Sequence, residues 1–275
     1  MFFKSKRLIE RSEGQKLLNL ILEDKNKSLI IHYSCESFVT SHGRTPRITS
    51  ICLRYLASSQ TKSFSIHLQA QFENKDFNNL TTEEYDLLEK KMLEEFYKFS
   101  KSHKEYKWIH WNMRDSNFGF DAIANRYRIL GGESFQIDDD RRYDFPRILG
   151  KLYTYGYEEN QPYGRLLNLA NRNNISIKDA LKGKEEAEAF DNKEYLKLHK
   201  SSLKKVDIIE SIIDRADKNE LKVNTTAKQI YGLSISGIIE IVKNNWILIL
   251  IWTIVVYIFG AASEPLVQNF FGTSN

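Results

Sequence analysis

Cysteine is nearly missing from this sequence. Cys35 and Cys52 are the only two among 275 residues. Both sit inside apolar, strand-like runs, so two buried reduced thiols are expected rather than a disulfide framework or a zinc site. A glycine-rich phosphate loop, a nucleophile elbow and a Cys/His metal spacing are missing too. The opening MFFKSKRLIERSEG lacks the apolar stretch of about 7–15 residues that a signal peptide needs. Aromatic residues are plentiful, with 16 Phe, 14 Tyr and 4 Trp, so a real core is expected and disorder is not.

Charge is what the C-terminal end lacks. From Asn244 to Ser263 the chain runs NNWILILIWTIVVYIFGAAS without one charged residue. Twenty helical residues at about 1.5 Å each span about 30 Å, the thickness of a bilayer's hydrocarbon core. Thr253 is the one polar residue between Trp246 and Ala262, and a helical Thr can bond its own backbone. The reading is a C-terminal transmembrane helix over 244–263 with a short non-cytoplasmic tail, 264–275. Residues 1–243 hold all 40 basic residues and 35 of the 36 acidic ones, a net charge of +5. By the positive-inside rule that side stays cytoplasmic, with the N-terminus in. A mildly basic domain suits an anionic membrane surface or nucleic acid and demands neither. Ile230 to Val242 is also apolar but too short to span. It either lies in the interface or continues the anchor helix. Gly260 to Ala262 form a small patch through which anchors could associate into a homo-oligomer.

The remaining sequence alternates strand and helix signals. An N-terminal helical segment (1–27) carries an amphipathic helix over 7–24, interrupted near Gly14. Strands are expected at 28–34, 47–54 and 63–69, with a polar loop from Thr40 to Pro46 and a hairpin turn at ASSQTK. Thr81 and Glu84 form a capping box, and Tyr85, Leu88, Met92, Phe96 and Phe99 follow at helical spacing. A fourth strand covers 106–112. A short helix over 117–132 ends at paired glycines. IDDDRRYD is a polar turn or short fifth strand, and helices follow at about 145–155, 164–173, 178–190 and 194–215. Asp217 to Thr226 reads as a linker.

The residues at the ends of these elements resemble a family. Ile30-Ile31-His32-Tyr33 runs into Ser34-Cys35-Glu36. His110-Trp111-Asn112-Met113-Arg114-Asp115 precedes Phe118-Gly119-Phe120-Asp121. Tyr195 and His199 stand on the last helix before Asp207, and Leu166 to Ala170 fits the run before it. Over roughly 28–216 the chain resembles a DEDD-type 3′–5′ exonuclease domain. The resemblance implies an α/β, ribonuclease H-like mixed sheet flanked by helices. If active, it implies Mg²⁺ or Mn²⁺ held by Glu36, Asp115 and Asp121, with Glu36, Asp115, His199 and Asp207 as working residues.

The departures from the family point the other way. Ser34 stands at the first aspartate position, and Lys204 stands five residues after His199, where the family has Asp. An ammonium about 4 Å from a divalent ion costs roughly 8 kcal/mol at an effective dielectric of about 20. Lys204 beside Glu36 and Asp115 would replace the metals and leave a fold without chemistry. A degenerate domain of this kind would bind nucleic acid, a nucleotide or a protein, with no cofactor. Trp108, His110, Trp111, Lys200, Lys204 and Lys205 are then the candidate binding residues. Trp108 and Trp111 either stack on a base or pack the core, and the lysines either bind phosphate or make a solvated helix face. His32 and His67 read as buried histidines. The expected function is a membrane-anchored cytoplasmic binding or effector module. An active tethered exonuclease and a structural scaffold are the alternatives.

Overall fold

The period-two runs become one five-stranded sheet. The structure, a computed structural model, describes residues 5–37, 45–115, 117–243 and 246–271, with side chains as far as Phe259. Strand β1 (Ser28–Cys35) is central. β2 (Ile48–Tyr55) pairs antiparallel with β1, and β3 (Thr61–Ser65) pairs antiparallel with β2. β4 (Lys107–His110) and β5 (Arg142–Asp144) continue parallel on the other side, giving the order β3-β2-β1-β4-β5. This mixed α/β sheet, flanked by helices, is compatible with a ribonuclease H-like fold.

Both faces of β1 are buried, which is why its sequence reads as a continuous apolar run. Leu29, Ile31 and Tyr33 pack with α3 (Thr82–Ser102) and α4 (Phe120–Ile129). Ile30 belongs to the opposite core, shared with α1 (Lys6–Glu23), α5 (Phe145–Tyr153), α6 (Arg165–Arg172) and α8 (Tyr195–Asp217). Helix α3 starts at the expected capping box. The Glu84 N–H donates to Thr81 Oγ1 at 3.2 Å, and the Thr81 N–H donates to the Glu84 carboxylate at 3.0 Å. Midway along α3, Glu89 is fully buried. It accepts from Arg126 of α4 at 2.6 Å and from the Ile48 N–H at 2.6 Å. Burial pushes its carboxyl up to about 7, against the pull of Arg126. One charge pair thus fastens α3, α4 and the start of β2.

Four expectations need correction. The alternation of 63–69 does not continue as a strand: β3 ends at Ser65 and α2 (Ile66–Phe72) begins. Ser65, opposite Ser50, is the last paired residue of β3, although β2 runs two residues further to Ile48. Ile66, His67, Gln69 and Ala70 then bury at helical spacing. Gly14 does not interrupt α1. A Cβ there would stand 2.9 Å from Lys151 Cβ and 3.0 Å from the Leu152 nitrogen, so glycine lets α1 and α5 approach closely. The expected linker is tied to the body. The Asn224 N–H donates to the Tyr157 carbonyl at 2.7 Å, Thr225 Oγ1 donates to the Tyr153 carbonyl at 2.7 Å, and the Lys222 N–H donates to Asn173 at 2.8 Å.

The C-terminal region is the fourth. It forms α9 (Ala227–Tyr231), α10 (Ile235–Lys243) and α11 (Trp246–Phe271). Among the described residues no single helix is long and apolar enough to cross a membrane. Ile235–Lys243 and Trp246–Phe259 meet that requirement together, as a pair bent by 111°. Residues 40–44 of the expected polar loop, Asn244 and Asn245, the side chains of 260–263, and residues 272–275 of the expected tail lie outside the described residues.

Candidate functional site

In sheets with parallel strands, ligand sites form beyond the carboxyl ends of the strands. Here a cavity of about 190 Å³ opens at the carboxyl end of β1, room for about six waters at roughly 30 Å³ each. Its lining includes His32, Tyr33, Ser34, Cys35, Phe118 and Glu186, the last from α7 (Gly183–Asp191). Phe118 stacks on Tyr33 with ring centroids 4.5 Å apart and forms an aromatic wall. The Tyr33 hydroxyl accepts the Gly119 N–H at 2.9 Å, which ties that wall to the turn after β4. A Cβ at Gly119 would lie 2.6 Å from the Met113 carbonyl oxygen. Gly119→Ala is therefore expected to cost about 1–3 kcal/mol, read as a lower midpoint in urea unfolding.

A polar layer lies beneath the cavity. Ser34 of β1 stands opposite Ser50 of β2, which stands opposite Ser65 of β3. Their small side chains let α8 come close. Ser202 Oγ sits 2.7 Å from Ser34 Oγ and accepts from Ser50 Oγ at 3.2 Å. His199, one turn earlier on α8, packs against His67 with ring centroids 4.8 Å apart, and Ser65 Oγ lies 3.0 Å from His67 Nδ1. Burial, and then His67, hold His199 down at about 4. His32 shares a strand face with Ser34, two residues away. It is buried, its Nδ1 has no hydrogen-bond partner, and burial together with the charge of Lys205 keeps the ring neutral. Lys205 Nζ lies 2.5 Å from Glu186, which also accepts from Ser201 Oγ at 3.0 Å. Burial raises the Cys35 thiol far above its ordinary value, so the sulfur stays protonated.

The expected catalytic and metal residues lie apart from one another. Glu36 is buried just past β1, where it accepts the Arg47 N–H at 3.3 Å. Asp115 accepts the Asn117 N–H at 2.8 Å within its own exposed turn. Asp121 is exposed on α4, 3.9 Å from Arg142. Asp207 pairs with Lys204 at 2.5 Å and with Arg54 at 3.4 Å. Arg54 stands opposite Ile30, four residues from Ser34 along β1, or about 13 Å at 3.3 Å per residue. Lys204 therefore pairs with Asp207 on its own helix and not with Glu36. Lys205, one residue on, reaches Glu186 of the cavity lining instead, because the helix turns about 100° per residue.

The expected base-stacking pair is core. Trp108 and Trp111 are both buried, Trp108 in the α3 and α4 core and Trp111 against Phe145 in the other. His110 is buried too. Its Nδ1 accepts the Met113 N–H at 3.0 Å, and burial with Arg114, Arg142 and Arg147 holds it at about 3. Lys200 is exposed on α8.

A pair of Mg²⁺ or Mn²⁺ ions needs converging oxygen ligands. The acids quoted above are each engaged by a different backbone group or cation. Among the described residues no three His, Cys, Asp or Glu side chains stand where they could share an ion. The described residues do not fit the metal pair. Compared with family models, curated proteins and solved structures, the chain matches none.

Three features of this site were not anticipated: the serine row, the unpartnered His32 and the Glu186–Lys205 pair. Three of the four expected strands do carry one of these serines, Ser34, Ser50 and Ser65. That signal becomes visible only when the strand register aligns them.

Proposed function

We propose that this chain is a membrane-tethered binding module on a ribonuclease H-like sheet, with the sheet domain on the cytoplasmic side. Its site takes a nucleotide unit, free or at the end of a strand, without hydrolysing it. The supporting observation is the lining of the cavity at the end of β1. A hydroxyl, a neutral imidazole, a lysine-paired carboxylate and an aromatic wall occupy the place where two-metal chemistry would need carboxylates. Aromatic faces and polar side chains of this kind bind bases and sugars. The membrane half rests on Trp246–Phe259, whose large apolar side chains are exposed on every side of α11. Such a helix is stable when lipid surrounds it.

Full-length protein in detergent micelles, titrated with labelled single-stranded RNA and DNA and with free nucleotides, tests this reading. Binding is expected, weakened at least tenfold by Ala187→Trp, which fills the cavity from a partly exposed position on α7. Absence of binding, or binding indifferent to Ala187→Trp, rejects the site. Mg²⁺- or Mn²⁺-dependent degradation abolished by Glu36→Gln rejects the non-hydrolytic reading.

A further inference from the structure

The short helix α10 divides its surface into three sectors. Gly237 faces the body, and a Cβ there would lie 2.4 Å from the Tyr231 carbonyl oxygen and 2.6 Å from that of Gly232. The backbone of α10 therefore rests directly on the end of α9. That end is itself fixed: Arg7 Nε donates to the Ile230 carbonyl at 2.9 Å, and the Arg11 guanidinium lies 4.9 Å from the Tyr231 ring centre. Ser236, Glu240 and Lys243 form a polar flank at helical spacing, with Lys243 paired to Glu240 at 3.4 Å. Ile235, Ile238, Ile239 and Val242 make the third sector. It is apolar, and Ile235, Ile238 and Ile239 are 67, 50 and 44 % exposed.

The apolar sector faces the inside of the 111° elbow between α10 and α11. There it joins Ile249 and Trp252 of α11, with Lys243 of the polar flank, as the walls of one groove of about 660 Å³. A protein partner filling that groove would still leave the rest of Trp246–Phe259 uncovered, because that stretch is apolar and exposed around its whole circumference. Lipid covers both at once. A helix entering a bilayer along its normal and a near-perpendicular helix lying in the surface place all of this apolar area in the acyl region. The flank of Ser236, Glu240 and Lys243 then stays with the headgroups.

We infer that α10 is an in-plane membrane helix which seats the domain on a lipid surface and, through Gly237 and α9, fixes how the domain stands on that surface. The inference rests on the membrane half of the proposed function. α10 sinks its Ile235, Ile238, Ile239 and Val242 face about 5–10 Å into the boundary between headgroups and acyl chains. It is not the first turns of a longer spanning helix.

The test is spin labelling of the full chain, reconstituted into phosphatidylcholine–phosphatidylserine vesicles. Labels are placed singly at Ile235→Cys, Ile239→Cys, Val242→Cys, Ser236→Cys and Ile251→Cys, with unsubstituted protein as the background for Cys35 and Cys52. Collision rates with oxygen and with a water-soluble nickel chelate give depth. The expected result is a shallow lipid depth shared by Ile235, Ile239 and Val242, nickel access at Ser236, and a deeper lipid position at Ile251. A depth that grows by about 10 Å from Ile235 to Val242, at 1.5 Å per residue, overturns the in-plane helix in favour of a continuous span. Low access to both reagents at Ile235 and Ile239 assigns the face to protein and overturns it as well. In either case a lipid-exposed Ile251 leaves the tether standing, whereas a water-exposed Ile251 removes the tether and this inference together.

Discussion

Replacing Arg126 by Met is expected to cost about 3–5 kcal/mol of unfolding free energy at pH 8. Arg126 is the cation on Glu89, whose carboxylate is fully buried. Without it the carboxylate keeps the Ile48 N–H and loses its counter-charge. Asp86, the other partner of Arg126, retains Arg47 at 3.3 Å, so the loss centres on Glu89. The defect carries a pH signature. Burial already lifts Glu89 to about 7 against an ordinary value of 4.5, and removing Arg126 lifts it further. Below that value a proton neutralises the carboxylate, so the deficit shrinks between pH 8 and pH 5 in urea titrations. Adding Glu89→Gln to Arg126→Met, which keeps an acceptor for Ile48 without the charge, restores most of the lost stability. A deficit that is equal at both pH values would show that the variant loses packing rather than an ion pair.

Acid sensitivity is the second large effect. His110 and His199 are buried and neutral, at about 3 and about 4 against an ordinary value of 6.5. Their folded-state values are depressed, so the stability they contribute is present above 6.5 and is lost as pH falls through the folded values. Glu89 has the opposite sign: its folded value is raised, so its contribution is full below 4.5 and is lost as pH rises through about 7. Between pH 4.5 and 6.5 the unfolded chain binds more protons on His32, His67, His110 and His199, whose folded values are all depressed, and the folded chain up to one more on Glu89. The histidines outweigh Glu89, so stability falls with acid by about 1.4 kcal/mol per pH unit for each proton of the difference and is highest near the top of that window. Below 4.5 Glu89 no longer opposes the histidines and the fall steepens. His199→Gln removes one proton from the balance and is expected to flatten the slope above pH 4.5, whatever it does to absolute stability. An unchanged slope would mean that His199 is already accessible to protons in the folded state.

Much of the fold was legible in the residues because periodicity is a local signal. The strands at β1, β2 and β4 and the capping box of α3 stand where alternation, spacing and caps placed them. The ambiguous IDDDRRYD resolved as a short 3₁₀ turn, Asp139–Arg141, followed by β5. The same signal failed at 66–68, where alternation continues and the strand does not. Whether an alternating run remains a strand depends on how it packs: Ile66, His67, Gln69 and Ala70 bury as a helix although β2 extends two residues past the last β3 pair.

The candidate site was less legible, for a related reason. His32, Ser34, Glu186 and Lys205 are separated by up to 173 residues, and nothing local marks them as neighbours. A helix presents a new face with each residue, so a choice between Lys204 and Lys205 is a choice between an ion pair with Asp207 and one with Glu186 at the cavity wall. An error of one residue, invisible in a sequence, exchanges the two.

The sequence by itself determined where charge is absent, which stretches alternate, where α3 begins and how apolar the C-terminal end is. These properties belong to single segments and follow from side-chain chemistry and backbone period. The tertiary structure decided that three serines from three strands form one row under α8, that the acids expected to gather round a metal pair are held apart by different partners, and that α10 turns its apolar face into the elbow with α11. Those outcomes depend on register, helix rotation and the angle between helices, which are set by packing between segments far apart in the chain.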